Sequence, residues 1–204
     1  MDRAHQHRPV TPVGHAPAFW PRVLLAALGW LPAVHGQVAA PIPAASQVES
    51  ADEAAQTVAF LYNVGSYTEW PAAALGAAGK PVTLCLMGDT ESLSQALATL
   101  DSRTLQGRAV RLRHLSHLGL PADCQLLYVA RSEQRHLAEI LPAAHAGAAL
   151  TVSPIADFAD AGGIIGLSLA DGKLVFDVNA AAARQAGLRL GSQLLKLARS
   201  VTGR

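Results

Sequence analysis

The sequence has few aromatic residues, few charges of either sign and almost no net charge. Aromatic residues make up 5% of the 204 residues, charged residues make up 15%, and the formal net charge is +1. This balance gives no electrostatic footprint for nucleic acid or for an anionic membrane. Because 50% of the chain is apolar and much of that is alanine, we expect a core built from Leu, Val and Ala.

The sequence also lacks the familiar catalytic patterns. It has no Gly-x-Ser-x-Gly elbow, no P-loop, no Gly-x-Gly-x-x-Gly after a strand and no His-Glu-x-x-His. His114 and His117 have metal-ligand spacing, but they flank the end of a predicted strand, where solvated loop histidines are expected. The aspartates Asp157, Asp160, Asp171 and Asp177 fit loop, turn and outward strand positions. We therefore expect a protein that is not an enzyme and that has neither a metal site nor a cofactor.

Residues 1–36 have the pattern of a secretory signal peptide. An uncharged apolar run from Val23 to Val34 follows Arg22, and small or compact residues precede a cleavage point after Gly36. Twelve residues are too few to cross a bilayer but suit a signal sequence. A buried core helix and an uncleaved inner-membrane anchor are the alternatives. The signal interpretation places the rest of the chain in the periplasm, with no further membrane span after cleavage.

Cysteine is scarce, since Cys85 and Cys124 are the two in the chain. In an oxidising compartment an isolated pair is most simply a disulfide, and the loop that it closes stabilises a fold by about 4 kcal/mol in the chain-entropy model. The alternative is two buried free thiols on neighbouring strands. We predict the disulfide.

The remaining pattern predicts a single α/β domain over residues 50–204, preceded by a flexible lead-in at 37–49. A capping box at Ser50 and Glu53 predicts a helix that ends before Trp70-Pro71. Beyond it, strand-like and helical segments alternate, and Asp171-Gly172 predicts a β-hairpin. We expect a mixed, mostly parallel sheet with helices on both faces and a C-terminal hairpin plus helix. The predicted strands are 82–87, 109–115, 124–130, 149–152, 164–169 and 173–178, and helices begin at Glu91, after a cap at Ser132, and after a cap at Asn179. The last helix is predicted to break near Gly187–Gly191, and its core face is predicted to carry Leu194, Leu195, Leu197, Ala198 and Val201.

The segment from Phe158 to Ile165 differs in kind from the rest. Gly162-Gly163 before an apolar strand indicates a tight turn, a bulge or a close approach of the backbone. It is either a plain loop into the hairpin or a surface for a ligand or partner with exposed backbone N–H groups.

Seven short segments, taken in order, resemble the YfiR-like family of periplasmic proteins. The likeness runs from about residue 52 to residue 202. The segments are Ala59–Asn63, Thr68–Pro71, Leu84–Gly88, Cys124–Tyr128, Phe158–Gly163, Phe176–Asn179 and Leu194–Ala198.

The resemblance implies a regulator that represses an inner-membrane diguanylate cyclase, YfiN-like, by binding its periplasmic domain and thereby lowers cyclic di-GMP signalling. It also implies a homodimer and a response to redox conditions. Cys85 and Cys124 match the family's strand-borne cysteines, and because the chain has one cysteine pair, any redox response must run through it. In the first helix, Asn63–Tyr67 departs from the family's more aromatic and basic run.

We expect Phe158, Gly162 and Gly163 in the loop, and Arg184 and Arg189 on the last helix, to contact the partner. The alternative is a periplasmic small-molecule-binding protein that feeds a sensor kinase or a transporter.

Overall fold

The computed structural model describes residues 44–100, 103–116, 119 and 122–203, and the predicted signal peptide at 1–36 lies outside them. Over these residues the chain forms the predicted mixed α/β domain. Its helices are α1 Ala44–Ser66, α2 Ala72–Leu75, α3 Glu91–Leu97, α4 Leu137–Ala146, α5 Ala180–Gln185 and α6 Ser192–Leu197. Its strands are β1 Thr68–Glu69, β2 Val82–Met87, β3 Thr104–Leu105, β4 Arg108–Leu115, β5 Leu126–Val129, β6 Leu150–Ser153, β7 Ile165–Ala170, β8 Lys173–Asn179, β9 Arg189–Leu190 and β10 Ser200–Thr202.

The main sheet has the strand order β10-β8-β7-β6-β5-β2-β4-β3, while β1 and β9 form a separate antiparallel pair. Neighbours in the main sheet are parallel except for β7–β8 and β3–β4. Asp171 and Gly172 join β7 to β8 with φ angles of 51° and 72°, the left-handed pair that a tight hairpin turn requires. The mostly parallel sheet and its hairpin are therefore confirmed.

The two faces of the sheet bury different apolar clusters. On one face, called here the α1 face, α1 and α3 cover strand residues such as Leu84, Leu126 and Val152. On the other, called here the disulfide face, α4 covers Met87, Leu127 and the two cysteines. Helices therefore lie on both faces, as predicted from the alternation of strands and helices.

The start of the first helix differs from the prediction. The helix begins at Ala44, so Ser50 lies within α1 rather than at its cap, and residues 44–49 of the predicted lead-in are helical. The reason is local: from Ala44 to Val64 there is neither glycine nor proline to interrupt a helix. The end is as predicted, before Trp70-Pro71.

The predicted cap at Ser132 is also wrong. Residues Arg131–His136 form a 3₁₀ turn, and α4 begins at Leu137. The Ser132 hydroxyl instead accepts a hydrogen bond from the Asp89 N–H at 2.9 Å. The hydroxyl therefore ties the loop after β5 to the loop after β2.

The last helix breaks where the sequence predicts, near Gly187–Gly191, and two short helices with strands beside them lie on either side of the break. Asn179 caps α5 as expected, accepting the Ala182 N–H at 2.9 Å. The chain then forms β9, α6 and β10, so Arg189 lies on a strand and Leu197, expected in the core, is 74% exposed. Gly187 follows α5 with a φ angle of 74°, a left-handed conformation that glycine adopts readily and that ends a helix.

None of the helices among the described residues is long and apolar enough to cross a membrane.

Candidate functional site: the disulfide face and the surfaces beside it

The structure joins Cys85 and Cys124 in a disulfide, as predicted. Cys85 lies in the middle of β2, Cys124 lies just before β5, and their Cα atoms are 6.0 Å apart. The side chains of both residues are buried, with exposed fractions of 0% and 1%. Because β2 and β5 are neighbours, the disulfide links two central strands of the sheet.

Gln125, the residue after Cys124, fixes the backbone beside the disulfide. Its side-chain oxygen accepts the Thr83 N–H at 2.8 Å, and its side-chain nitrogen donates to the Ala74 carbonyl at 2.7 Å. Its own carbonyl accepts the Trp70 indole N–H at 3.0 Å and the Leu150 N–H at 2.8 Å. One buried amide residue therefore holds the α2 segment, β2 and β6 in register.

A charged pair lies next to the disulfide on the protein surface. Arg113 is the β4 neighbour of Cys85, and Asp123 precedes Cys124. The Arg113 guanidinium donates to both Asp123 carboxylate oxygens, at 2.8 and 3.2 Å. This fork-to-fork geometry holds the segment that carries Cys124 against β4.

The loop between β6 and β7 contains the predicted close approach of the backbone. Phe158 is 1% exposed and packs in the same cluster as Cys85 and Cys124. A Cβ atom at Gly163 would overlap the Phe158 ring, while Gly162 has φ 100°. Gly163 is therefore required by the ring, and Gly162 by its own backbone conformation.

This placement corrects the role expected of Phe158. Its side chain lies in the core, so it cannot contact a partner directly, although it supports the loop from beneath. Gly163 is buried as well, whereas Gly162 is partly exposed. The two glycines predicted a partner surface with exposed backbone N–H groups, but the space beside Gly163 is filled by the Phe158 ring, whose burial is favoured by the hydrophobic effect.

Gly162 lines a shallow groove of about 530 Å³ with α4 and the end of α5. His145 and Gln185 also line the groove, and Gln185 follows Arg184 in the chain. Burial lowers the pKa of His145, so the imidazole is neutral at pH 7. The structure thus brings Gly162 and the helix that carries Arg184 to one groove.

Arg184 and Arg189, the predicted contacts near the C-terminus, lie in different settings. Arg184 donates to the Gly203 carbonyl at 2.7 Å, which ties α5 to the residues after β10. Arg189 is exposed, and no hydrogen bond or ion pair joins its side chain to the residues that the structure describes. Arg189 is opposite Glu69 in the β1–β9 pair.

Tyr67 was missed from the sequence as a surface residue. It is 48% exposed, and its carbonyl accepts the Gly191 N–H at 2.7 Å beside the β1–β9 pair. Tyr67 directly precedes β1, in which Glu69 is opposite Arg189 of β9. We call Tyr67, Glu69 and Arg189 the β1–β9 patch. The two-residue strands that create it carry too little alternation for a sequence to show them.

Asp177 was expected to point outward from its strand, but it is partly buried. Its carboxylate accepts hydrogen bonds from the Arg199 guanidinium and from the Ser200 hydroxyl, the latter at 2.6 Å. The Arg199 hydrogen bond, with a smaller contribution from Ser200, holds the pKa of Asp177 below its ordinary value. These contacts attach the edge strand β10 to β8.

The His114–His117 spacing falls at the end of β4. His114 is exposed on β4, while His117 lies outside the described residues. No group of three or more His, Cys, Asp and Glu side chains converges among residues 44–100, 103–116, 119 and 122–203.

Comparison with known proteins gives a family and two partial structural likenesses. None of the curated proteins matches this chain. A conserved domain protein from Vibrio cholerae is 11% identical, with a TM-score of 0.47 over 59% of this chain and 54% of that chain. An ABC domain in complex with L-Trp from Streptococcus pneumoniae is 10% identical, with a TM-score of 0.43 over 59% and 55%. The chain thus spans about half the length of these two proteins, and neither likeness bears on function.

The family match covers nearly the whole of the domain. Residues 54–199 match the family described as YfiR/HmsC-like, a range that includes both cysteines, the Phe158–Gly163 loop and the β1–β9 patch. The family assignment expected from the order of the short segments is confirmed. The chain belongs to the YfiR/HmsC-like family.

Proposed function

We propose that this protein is a periplasmic repressor that binds the periplasmic sensor domain of an inner-membrane diguanylate cyclase, YfiN-like, and lowers cyclic di-GMP signalling. The observation that carries the proposal is the family match over residues 54–199. A repressor of this kind acts by binding one conformation of its partner more tightly than another. It therefore needs a rigid domain and an exposed contact surface.

The β1–β9 patch is the surface we propose for this contact. Tyrosine and arginine are the residue types that most often dominate the energy of an interface, and the patch presents one of each. Arg189 is available because none of the described residues pairs with its side chain. Arg184, by contrast, is already engaged with the Gly203 carbonyl, so we assign it a supporting role.

We propose that the disulfide keeps the Gly162 loop in its binding form. Cys85, Cys124 and Phe158 share one buried cluster, and the Phe158 ring lies directly against Gly163. Reduction would loosen the packing beneath the loop and shift the population away from the state that binds the partner. The Gly162 loop would then be a second contact beside the β1–β9 patch, and redox conditions would change repression through this loop.

The direct test measures binding of the purified cyclase periplasmic domain to immobilised repressor. We expect Arg189→Glu and Tyr67→Ala each to weaken binding by about thirtyfold, the effect of losing an interface hot spot. Arg135→Glu is the matched control, because Arg135 is an exposed arginine on the 3₁₀ turn before α4, away from the patch. If Arg135→Glu weakens binding as much as Arg189→Glu, general electrostatic attraction explains the effect and the patch is not the contact.

The redox part of the proposal is tested with the double variant Cys85→Ala/Cys124→Ala. We expect it to fold but to bind the cyclase domain more weakly than the oxidised protein does. If this variant binds and represses as the wild type does, the repressor function is kept and the disulfide is not needed for it.

We also propose that the protein is a homodimer. Light scattering on protein eluted from a size-exclusion column should then give twice the mass of the monomer.

A second function, a small-molecule-binding protein that feeds a sensor kinase or a transporter, is favoured by one observation. A polar cavity of about 240 Å³ opens at the carboxyl ends of the central strands. Saturable binding of a small molecule in this cavity, measured on the protein alone with no cyclase domain present, would support that function.

A further inference from the structure

The strand order places a crevice at the carboxyl ends of β2 and β5. From β2 the chain passes through α3 to β4 on one side, and from β5 it passes through α4 to β6 on the other side. Because α3 packs on the α1 face and α4 on the disulfide face, the loops after β2 and β5 diverge. In open α/β sheets, ligands bind in the crevice at such a switch point.

A cavity of about 240 Å³ occupies this position, between α1, the start of α3 and the loop after β5. Its volume is that of about eight water molecules, which suits one sugar-sized ring. The cavity lies on the α1 face, because Tyr128, which lines it, pairs with Leu86 and Val152 of the α1-face cluster. It is thus separate from the disulfide, the Gly162 groove and the β1–β9 patch.

The walls of the cavity are fixed in place by the backbone. The Asp89 N–H donates to the Ser132 hydroxyl at 2.9 Å across the two diverging loops. Gly88 has φ 88°, and a Cβ atom there would lie 2.8 Å from the Glu133 side chain. Glycine at this position lets the loops approach each other closely, so the cavity is formed without a ligand.

The charged groups of the lining carry a formal net charge of −1, and one of the two carboxylates, that of Glu53, forms a long ion pair with Arg131. Glu53 and Asp89 contribute two carboxylates, and Arg131 contributes one guanidinium. The Arg131 nitrogen lies 3.9 Å from the Glu53 oxygen, which is too long for a hydrogen bond. Both groups therefore keep bonding capacity for a ligand.

Hydroxyl groups make up the rest of the polar lining. Thr57, Thr90, Ser92 and Ser132 contribute side-chain oxygens alongside Tyr128. No described residue forms a hydrogen bond with the Tyr128 hydroxyl, and burial raises the pKa of Tyr128 to about 12. The phenol is therefore protonated at any physiological pH and can both donate to and accept from a ligand hydroxyl.

We propose that this cavity binds a small hydroxylated primary amine of one-ring size, with its ammonium group on the Glu53 and Asp89 carboxylates. Ligand hydroxyl groups form hydrogen bonds with the Tyr128 and Ser132 hydroxyls and with the Arg131 guanidinium. The proposal goes beyond cyclase repression and does not require that the repressor proposal be correct.

The test is calorimetric titration of the whole protein with glucosamine, N-acetylglucosamine and glucose. These probes share a ring of hydroxyls, but only glucosamine carries an ammonium group. Charge-assisted hydrogen bonds are about twice as strong as neutral ones, so we expect glucosamine to bind at least tenfold more tightly than the other two. Glucose or N-acetylglucosamine binding as tightly as glucosamine would overturn the proposal, as would glucosamine failing to bind at millimolar concentration.

Matched variants locate the ligand. We expect Glu53→Gln and Asp89→Asn each to weaken glucosamine binding about tenfold, while far-ultraviolet circular dichroism shows that the fold is kept. Glu91→Gln removes the same charge two residues from Asp89, outside the lining, and should change the affinity by less than about twofold because exposed charges are screened. An equal loss in Glu91→Gln would show nonspecific attraction and overturn the site.

Discussion

The two faces of the sheet are held by different means. On the α1 face, two helices cover a broad set of leucine and valine side chains, and the Phe60 and Phe176 rings meet at 4.9 Å between centroids. On the disulfide face, α4 covers a smaller cluster that contains a covalent link, with the Arg113–Asp123 and Arg199–Asp177 pairs at its margins. On the face that buries the smaller apolar cluster, a covalent link constrains the chain as well.

Removal of the disulfide has the largest expected effect on this comparison. The variant Cys85→Ala/Cys124→Ala opens a loop of 39 residues and should lower the free energy of unfolding by about 4 kcal/mol. Urea denaturation followed by circular dichroism measures the loss. Wild-type protein in reductant serves as the control and should unfold at nearly the same urea concentration as the variant. If the variant is as stable as the oxidised wild type, packing alone holds both faces.

Truncation of the core on the α1 face is expected to have the next largest effect. Leu61 of α1 is fully buried, so Leu61→Ala should cost about 3 kcal/mol through lost transfer energy and the cavity left behind. The matched control is Leu197→Ala on α6, where the same atoms are removed from a side chain that is 74% exposed. Both are measured by urea denaturation, and similar losses at the two sites would contradict the packing of this face.

Gly163→Ala should destabilise the disulfide face by about 2 kcal/mol, the cost of forcing an overlap in a packed core. Gly147→Ala is the control, since a Cβ atom there would make ordinary contacts. Thermal unfolding of Gly163→Ala, Phe158→Leu and the double variant gives the coupling between the two positions. We expect the double variant to lose less stability than the two single variants lose together. If the two losses simply add, the Phe158 ring is not the reason that position 163 requires glycine.

Low pH should lower the stability of the protein by protonating Asp177 at the margin of the disulfide face. We expect this effect to be the smallest of the four. The pKa of Asp177 is lower in the folded protein than its ordinary value of 3.8, mainly because of the Arg199 hydrogen bond. Its contribution is therefore present above about pH 4 and is lost as the pH falls through the lower folded value. We expect Asp177→Asn to melt below wild type at pH 7 and together with it near pH 2, and a constant gap across that range would contradict this assignment.

The sequence predicted best where local chemistry and burial agree. The strand Val82–Met87, the Asp171-Gly172 hairpin and the Asn179 cap each follow from a few neighbouring residues, and the structure shows all three. The disulfide also followed, because compartment and cysteine count together leave few choices.

The sequence predicted least where distant segments decide. Strands β1 and β9 have two residues each and exist only because they pair with each other, so neither shows a pattern of its own. The burial of Phe158 in its loop could not be predicted, because the space that receives its ring is made by Gly163 and by α4. The charges of the cavity come from α1 and from two separate loops, and only the strand order brings them together.

The bonds of Gln125 have a consequence for how quickly the cysteines can recombine. Gln125 makes five hydrogen bonds, two with Thr83 and one each with Ala74, Trp70 and Leu150, and none of them involves a sulfur atom, so we expect them to persist when the disulfide is reduced. The segment that carries Cys124 would therefore stay beside β2. Because the two thiols are held close together, their effective concentration is high. We infer that re-oxidation is fast and returns the original pair, so this cross-link can cycle many times in one folded molecule.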